Sequence, residues 1–207
     1  MSPVCSINFA AMKILVGCEY SGIVSEAFAA KGHQVTSCDL NHPGENIIRR
    51  KHYIDDVFKI ASLDQWDLGI FFPSCQFLCR ASFAHINSPG RRQSQMQAVD
   101  FVRRLWSLPI HRIAIENPIG VLSSVWRPPS QIIFPWYYGD NYSKDICLWL
   151  KRLPRLNGIP LITQPEKLKS VSNHVNSRMD QQLKSKIRSR FFPQVAAAMA
   201  KQWDFIV

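Results

Sequence analysis

Short apolar segments alternate with helical segments along this chain, and that alternation restricts its fold more than any other feature of the sequence. The predicted strands cover residues 13–18, 33–39, 53–54, 68–72 and 112–116, and the predicted helices cover residues 22–30, 93–106 and 193–203. Residues 131–163 are expected to supply the last strands, with residues 146–150 as the best candidate. Because strands that alternate with helices pair in parallel, we predict an α/β fold with a mostly parallel, doubly wound, Rossmann-like sheet.

The length of 207 residues and the hydrophobic share of 46% are enough for one buried core, so we predict a single domain over residues 12–207. Residues 1–11 are expected to form a poorly ordered N-terminal extension, because Met12 directly precedes the first strand and is an alternative start. No apolar run approaches the length of a membrane span and no secretory leader is recognisable. We therefore expect a cytoplasmic protein without a membrane partner.

The spacings of cysteine and histidine argue against disulfides and bound metals. The six Cys residues fit neither a secreted disulfide framework nor a paired zinc-ligand spacing, and the six His residues show no metal spacing. Several Cys residues lie inside predicted strands, where cysteine behaves as a small buried hydrophobe. We therefore predict a reducing compartment and no metal site, and a cysteine in a loop becomes a candidate for chemistry.

The positive charge of the chain is concentrated in one segment. The formal net charge is +10, and residues 151–190 hold Lys or Arg at positions 151, 152, 155, 167, 169, 178, 184, 186, 188 and 190 against Glu166 and Asp180. A basic surface of this size attracts polyphosphate, although dense charge also occurs on ordinary solvated surfaces. Together with the strand-end residues below, this segment predicts a nucleic-acid or nucleotide partner.

Glycines and an acid follow the first two predicted strands, at the sheet edge where doubly wound folds bind ligands. Gly17 and Gly22 flank the turn after the first strand, where glycine lets the backbone approach a ligand beside a helix N-terminus. Asp39 ends the second strand, where a carboxylate commonly accepts hydrogen bonds from a ribose. The alternative is that Asp39 only caps the turn that follows.

A thiol and a carboxyl group follow the next two predicted strands. The buried run at 68–72 stops at Pro73, and Cys75 lies in the polar turn directly after it. Glu116, followed by Asn117, leaves the apolar strand at 112–116. Partial desolvation should raise the pKa of Glu116, and a protonated carboxyl beside a thiolate makes an acid and nucleophile pair. An inert structural role for Cys75 is the alternative.

These motifs carry a resemblance to a known family. The segments PSCQ (73–76) and ENP (116–118), with the glycine-bearing turn after the first strand, resemble the catalytic domain of DNA (cytosine-5) methyltransferases. The likeness covers residues 12–205, and the segments CEYSG, ENPIG and CLWLK (18–22, 116–120 and 147–151) are similar to small methyltransferase-like proteins of bacteriophages and prophages. The resemblance implies a methyltransferase version of the Rossmann-like fold, acting in a bacterial or phage-infected cell.

The resemblance also implies a reaction and its residues. The cofactor would be S-adenosylmethionine, and the product would be cytosine methylated on carbon 5 in nucleic acid, above all DNA. Cys75 would add as a thiolate to carbon 6 of the pyrimidine while Glu116 protonates ring nitrogen 3, on a base flipped out of the duplex. The implied substrate-binding residues are Pro73, Ser74, Gln76 and Asn117. The cofactor would be lined by Gly17, Glu19, Tyr20, Ser21, Gly22, Asp39 and Asp56.

Three departures from the family keep other functions open. Ser74 stands where the family has a second proline, the first turn lacks the Phe-x-Gly-x-Gly-Gly pattern, and 207 residues leave little room for a target-recognition domain. A free pyrimidine nucleotide is therefore an alternative substrate, and a non-catalytic nucleotide- or nucleic-acid-binding viral protein is an alternative function. The oligomeric state cannot be read from the sequence.

Two further segments have a functional and a plain interpretation. Arg92 follows the sequence NSPG and is a candidate for contacting a substrate phosphate from a lid, or it simply begins a solvated helix. The aromatic loop at 135–145 is a candidate stacking surface for a base, or it merely covers the sheet.

Overall fold

The computed structural model of this protein describes residues 11–41, 51–80, 86–159, 168–169, 180 and 190–204. Its strands are β1 (Lys13–Gly17), β2 (Gln34–Asp39), β3 (Lys51–Ile54), β4 (Leu68–Phe71), β5 (Arg112–Asn117), β6 (Gln131–Ile133) and β7 (Ile146–Lys151). Its helices are α1 (Ile23–Ala29), α2 (Val57–Ala61), α3 (Arg91–Trp106), α4 (Leu122–Val125) and α5 (Pro193–Gln202), with a 3-10 helix at Pro135–Tyr138.

The strands form one seven-stranded sheet in the order β3-β2-β1-β4-β5-β7-β6. The first five strands pair in parallel, whereas β7 runs antiparallel to both of its neighbours. The predicted fold class is confirmed, because the sheet is mostly parallel, doubly wound and Rossmann-like. Since β7 lies antiparallel to β5, the chain that enters β7 lies beside the residues that leave β5, with Cys147 opposite Asn117.

Helices cover both faces of the sheet, which is why the central strands are apolar along their whole length. On one face α1 packs against α5, and the buried side chains of that layer include Ile14, Phe28, Leu148, Met199 and Trp203. On the other face α3 covers the sheet, and the buried side chains there include Leu15, Phe71, Val102, Leu105, Ile113 and Trp149. The layers hold the strand ends in fixed register, and this register builds the site described below.

The predicted long elements are present, and the differences concern short ones. The structure contains α2, α4 and the 3-10 helix, which the periodicity did not predict, and β6 lies in the region 131–163 that was expected to supply the last strands. Each has three to five residues, which is too few for a hydrophobic period to be recognised. Helix α3 begins at Arg91, two residues before the predicted start, after Gly90 in a left-handed conformation with φ 73°.

Several predictions concern residues that lie outside the described ranges. These include residues 1–10 of the predicted extension and the basic residues Lys167, Arg178, Lys184, Lys186 and Arg188. Within the described ranges, none of the helices has both the length and the apolar character that crossing a membrane requires.

Candidate active site

The register of the parallel strands brings the predicted strand-end residues to one edge of the sheet. Gly17 at the end of β1 pairs with Cys38 of β2 and with Phe71 of β4. Phe71 in turn pairs with Ile115 of β5. The turn after β1, Asp39, the loop from Pro73 to Gln76 and the pair Glu116–Asn117 therefore leave the sheet side by side. We name this edge the carboxyl edge.

Three hydrogen bonds clamp the Cys75 loop, residues 73–80, onto the segment that follows β5. The Asn117 side-chain amide donates to the Pro73 carbonyl at 2.7 Å. The Val121 amide donates to the Leu78 carbonyl at 2.8 Å, and the Arg80 amide donates to the Ile119 carbonyl at 3.3 Å. Because these bonds flank Cys75 on both sides, the loop has a defined position relative to Glu116.

Gly120 is what allows this close approach of two backbones. A Cβ atom at Gly120 would lie 1.9 Å from the Leu78 carbonyl oxygen and 2.9 Å from the Cys79 Cα atom. Both neighbours are backbone atoms, so no side chain can rotate away to make room. The glycine of the ENPIG segment is therefore required by the clamp.

The Cys75 residue is exposed to solvent, yet the atoms crowded around its thiol desolvate it. This desolvation raises the pKa of Cys75, and the charges of Cys79 and Glu116 act in the same direction. The positive charge of Lys144 acts in the opposite direction and favours the thiolate. The resting thiol is thus protonated at neutral pH, and a nucleophilic role requires that it lose its proton when a substrate is bound.

Glu116 is a buried carboxyl group with an unused acceptor atom. Its exposure is only 7%, and among the described residues its Oε1 atom has no hydrogen-bond partner. Burial raises the pKa of Glu116, as expected from its strand-end position, while the Lys144 charge lowers it. The Asn117 Oδ1 atom is also buried without a described partner. Two buried acceptors at one site are what a ligand with N–H donors needs.

Lys144 is the site residue that the sequence interpretation missed. Its Nζ atom lies 3.9 Å from Glu116 Oε1, and its charge acts on Cys75 as well. No signal in the sequence marks it, because 27 positions separate Lys144 from Asn117 and no motif connects them. Only the antiparallel insertion of β7 beside β5 brings the two segments together.

Glu19 is built into the turn after β1 as a helix cap. It is 2% exposed, and its Oε1 atom accepts hydrogen bonds from the Val24 amide at 2.6 Å and the Ser25 amide at 3.4 Å. Its carboxylate thereby satisfies amides in the first turn of α1 that have no partner within the helix. Glu19 therefore stabilises the predicted cofactor turn through buried hydrogen bonds to the start of α1.

The remaining turn residues surround this cap. Gly22 adopts the left-handed conformation that the turn requires, with φ 71°, and Cys18 does so with φ 58° although it carries a side chain. Tyr20 and Ser21 are half-buried, and the Ser21 hydroxyl oxygen accepts from the Ile23 amide at 3.5 Å. The backbone is thus held in an uncommon conformation at the predicted cofactor turn.

Gly17 is required by packing and not by an open approach to a ligand. A Cβ atom there would lie 2.6 Å from a methyl group of Val57 and 2.7 Å from the ring of Phe71. The space in front of Gly17 is therefore filled by protein side chains.

Asp39 and Asp56 both lie at the carboxyl edge, and each also has a local partner. The Asp39 Oδ1 atom accepts from the Asn41 backbone amide at 2.8 Å, which is the turn cap that the plain interpretation predicted. The Asp56 Oδ1 atom accepts from the Phe58 amide at 2.7 Å and so caps α2. Burial raises the pKa of Cys18, and both carboxylates lie near enough to this residue for their charges to raise it further. A local partner on one oxygen is compatible with a ligand on the other.

Arg92 lines an open depression at the start of α3, and its neighbour Arg91 contacts the Cys75 loop. Arg92 is exposed in the first turn of α3 and lines an open depression of about 370 Å³. Arg91 donates from Nη2 to the Gln76 carbonyl at 3.3 Å, and its guanidinium lies 4.9 Å from the centre of the Phe77 ring. The structure therefore brings Arg91, and not Arg92, to the predicted substrate loop.

Among the other cysteines, the strand residues are inert. Burial raises the pKa of Cys38 to about 12 and that of Cys147 to about 11, so neither forms a thiolate near neutral pH. Cys79 is half-buried, and its backbone pairs with Gly120. Within the described ranges no group of three or more His, Cys, Asp or Glu residues is placed to hold a metal ion.

The described part of the basic segment begins at the opposite edge of the sheet. Lys151 ends the antiparallel strand β7 and pairs with Ile113, near the start of β5. Its ammonium donates to the carbonyls of Trp106 and Leu108, and Arg152 lies beside His111. Lys151 and Arg152 therefore make contacts within the fold at the edge opposite the carboxyl edge, where the parallel strands begin, and they do not reach the carboxyl edge.

Comparisons with known proteins give structural similarity only. No family model and no curated protein matches the chain. Among solved structures, it is similar to the methyltransferase EhMeth of Entamoeba histolytica with a TM-score of 0.46 and 17% identity, over 84% of this chain and 62% of that one. The chain is also similar to an rRNA methylase from Escherichia coli, with a TM-score of 0.38 and 16% identity over 69% of this chain and 57% of that one. The 16S rRNA methylase RmtB has a TM-score of 0.34 and 18% identity, over 69% of this chain and 56% of that one.

The solved structures named above are all methyltransferases. This chain spans less than two thirds of the length of each of them. With TM-scores below 0.5, these similarities say nothing about the substrate or the reaction of this chain.

Proposed function

We propose that this protein methylates carbon 5 of cytosine in nucleic acid, with S-adenosylmethionine as the methyl donor. The observation that carries the proposal is the pairing of an exposed thiol with a buried, unsatisfied carboxyl group at the carboxyl edge. The hydrogen-bond clamp between the Cys75 loop and the segment after β5 holds the two groups in one arrangement. Among the described residues Glu116 Oε1 has the ion pair with Lys144 but no hydrogen-bond partner, and a buried carboxyl group kept only for packing would be expected to have its hydrogen bonds satisfied.

The thiol of Cys75 supplies the nucleophile in this reaction. The sulfur forms a bond to carbon 6 of the pyrimidine, and the electrons of the 5,6 double bond move into the ring. The ring then carries electron density on carbon 5, which makes that carbon reactive toward a methyl donor. Later the carbon 5 proton leaves to a base, water in the simplest case, the double bond re-forms, and the carbon 6 to sulfur bond breaks.

Glu116 supplies the acid. Burial raises its pKa, so the carboxyl takes up a proton more readily than an exposed one, and in the substrate complex it donates that proton to ring nitrogen 3 as the sulfur adds. Without that proton, the negative charge that develops on the ring would stay uncompensated in a partly desolvated site. The carboxylate recovers the proton when the product forms, so the residue is unchanged after one turnover.

The residues around the turn after β1 fit the proposed cofactor. When bound, S-adenosylmethionine supplies the methyl group that carbon 5 accepts. Asp39 is half-exposed at the end of β2, where its carboxylate can accept from ribose hydroxyls. Asp56 offers a second carboxylate beside the same turn, and Glu19 keeps the turn in shape from its buried position.

A free pyrimidine nucleotide is the second candidate substrate. Of the described basic residues of segment 151–190, Lys151 and Arg152 lie at the opposite edge of the sheet, whereas the backbone of Lys169 pairs with the loop that holds Lys144. Among the residues that the structure describes, Lys144 is the cation that forms an ion pair with Glu116. A small anionic substrate needs no more than this, whereas a polymer needs further phosphate contacts.

The test is the transfer of a labelled methyl group from S-adenosylmethionine to duplex DNA, single-stranded DNA, RNA and free dCMP. Wild type, Cys75→Ala and Glu116→Gln are compared, with Cys79→Ala as the matched control for a neighbouring thiol. Label in one acceptor, lost with Cys75→Ala and kept with Cys79→Ala, supports the proposal and names the substrate class. Absence of label in every acceptor from folded wild-type protein overturns it, as does full activity of Cys75→Ala.

A further inference from the structure

Lys144 lies in a loop that is fixed at both of its ends. At the N-terminal side, the Asp140 carboxylate accepts hydrogen bonds from the Gln194 amide at 2.9 Å and the Val195 amide at 3.1 Å, at the start of α5. At the C-terminal side, the loop runs directly into β7, which begins at Ile146 between its two strand partners. The position of Lys144 is therefore set by the fold and not by a free loop.

An aromatic layer continues from this loop to the Cys75 loop. Tyr142 packs on Phe192 with ring centres 5.3 Å apart, and Phe192 packs on Phe191 at 6.0 Å. Phe191 packs on Phe72, the residue before Pro73, at 4.9 Å. The Lys144 ammonium lies 5.8 Å from the centre of the Phe192 ring, at the edge of the same layer. This layer couples the placement of Lys144 to that of the Cys75 loop.

The charge of Lys144 acts on two groups, Glu116 and Cys75, each of which is negatively charged when it has lost its proton. The ammonium lies 3.9 Å from Glu116 Oε1, and the side chain is 28% exposed, so the ion pair is shielded from most solvent. Among the residues that the structure describes, the charged and titratable groups that act on Cys75 are Lys144, Cys79 and Glu116, and Lys144 is the cation of this group. At such separations a partly buried cation stabilises an anion far more than a solvated surface lysine does.

We propose that Lys144 is a positioning residue of this site, which orients the Glu116 carboxyl group and stabilises the Cys75 thiolate. The inference rests on the proposed roles of Cys75 and Glu116. The S–H bond of Cys75 breaks, the electron pair stays on sulfur, where the charge of Lys144 stabilises it, and the proton passes to solvent, which reaches this exposed residue. Lys144 itself gains and loses no proton.

The test measures how fast iodoacetamide alkylates Cys75 at a series of pH values, with mass spectrometry of peptide fragments to distinguish Cys75 from Cys79. Lys144→Met should slow alkylation roughly threefold to tenfold at about pH 7.5 and move the midpoint to higher pH, because the cation that favours the thiolate is gone. Lys144→Arg should stay within about twofold of wild type, because it keeps the charge. Lys201→Met, in the last turn of α5, makes the same change of net charge and should leave the profile unchanged.

A second variant does not depend on the folding of Lys144→Met. Glu116→Gln removes the carboxylate that competes for the ammonium and opposes the thiolate, so alkylation of Cys75 should become faster at neutral pH. Slower or unchanged alkylation in Glu116→Gln overturns the inference. So does a folded Lys144→Met protein with the wild-type pH profile.

The two proposals fail in different ways. If wild type transfers no methyl group but Lys144→Met slows alkylation as expected, the role of Lys144 stands and the proposed function falls. If methyl transfer depends on Cys75 but the pH profile of Cys75 alkylation is the same in Lys144→Met as in wild type, the proposed function stands and the inference on Lys144 falls.

Discussion

Replacing Gly120 by alanine should open the clamp between the Cys75 loop and the segment after β5. The added Cβ atom would lie 1.9 Å from the Leu78 carbonyl oxygen, so the two backbones must separate by roughly 1 Å or more to reach van der Waals contact. This movement breaks the bond from the Val121 amide to Leu78 and strains the bond from the Arg80 amide to Ile119. Each bond contributes about 1 kcal/mol, and displaced packing adds to that. We expect Gly120→Ala to lower the free energy of unfolding by about 2–4 kcal/mol.

The assay is equilibrium unfolding in urea, followed by tryptophan fluorescence, with Gly32→Ala as the control. Gly32 has φ 90° with nothing within 4 Å of a Cβ atom, so alanine there introduces backbone strain without a clash. That strain costs about 1 kcal/mol. If Gly120→Ala costs no more than Gly32→Ala, the clamp does not have the rigidity that we attribute to it. Cys75 of the Gly120→Ala protein should also show a pH profile of alkylation that no longer responds to Lys144→Met.

Two further predictions concern buried carboxyl groups. Because burial raises the pKa of Glu116 above its ordinary value of 4.5, the unfolded chain ionises this group first as the pH rises. Ionisation of the buried Glu116 therefore lowers the free energy of unfolding, and this loss is absent below the ordinary pKa and complete above the pKa of the folded protein. Glu116→Gln removes the ionisable group, so it should raise the free energy of unfolding by about 1 kcal/mol at about pH 8 and not at about pH 4. Urea titrations of both proteins at the two pH values measure this, and an equal gain at both would contradict it. Glu19→Ala should destabilise the protein by about 1–3 kcal/mol, because the Val24 and Ser25 amides lose their acceptor. Glu19→Gln keeps an acceptor oxygen and should recover part of that loss in thermal unfolding, whereas equal losses would argue against the cap.

The sequence by itself determined the class of fold and the edge at which the site lies. Apolar runs such as 68–71, fully buried in the structure, identify central strands because both faces of a parallel sheet are covered. Pro73 and Asn117 follow two such runs, so the positions where the chain leaves the sheet could be predicted locally. The positions of Cys75 and Glu116 at this edge could be predicted in this way, since each position depends only on its own strand and on the rule that parallel strands end at one edge.

Only the tertiary structure decided how these residues are held and charged. The role of Lys144 depends on β7 running antiparallel beside β5, and no local pattern of residues 139–145 specifies that pairing. The need for glycine at position 120 comes from the backbone of Leu78, more than forty positions earlier in the chain. Glu19 is a buried cap because of how the turn folds back on α1. Periodicity reports which residues are buried, whereas charge pairing and steric exclusion depend on distances between segments that only the folded chain sets.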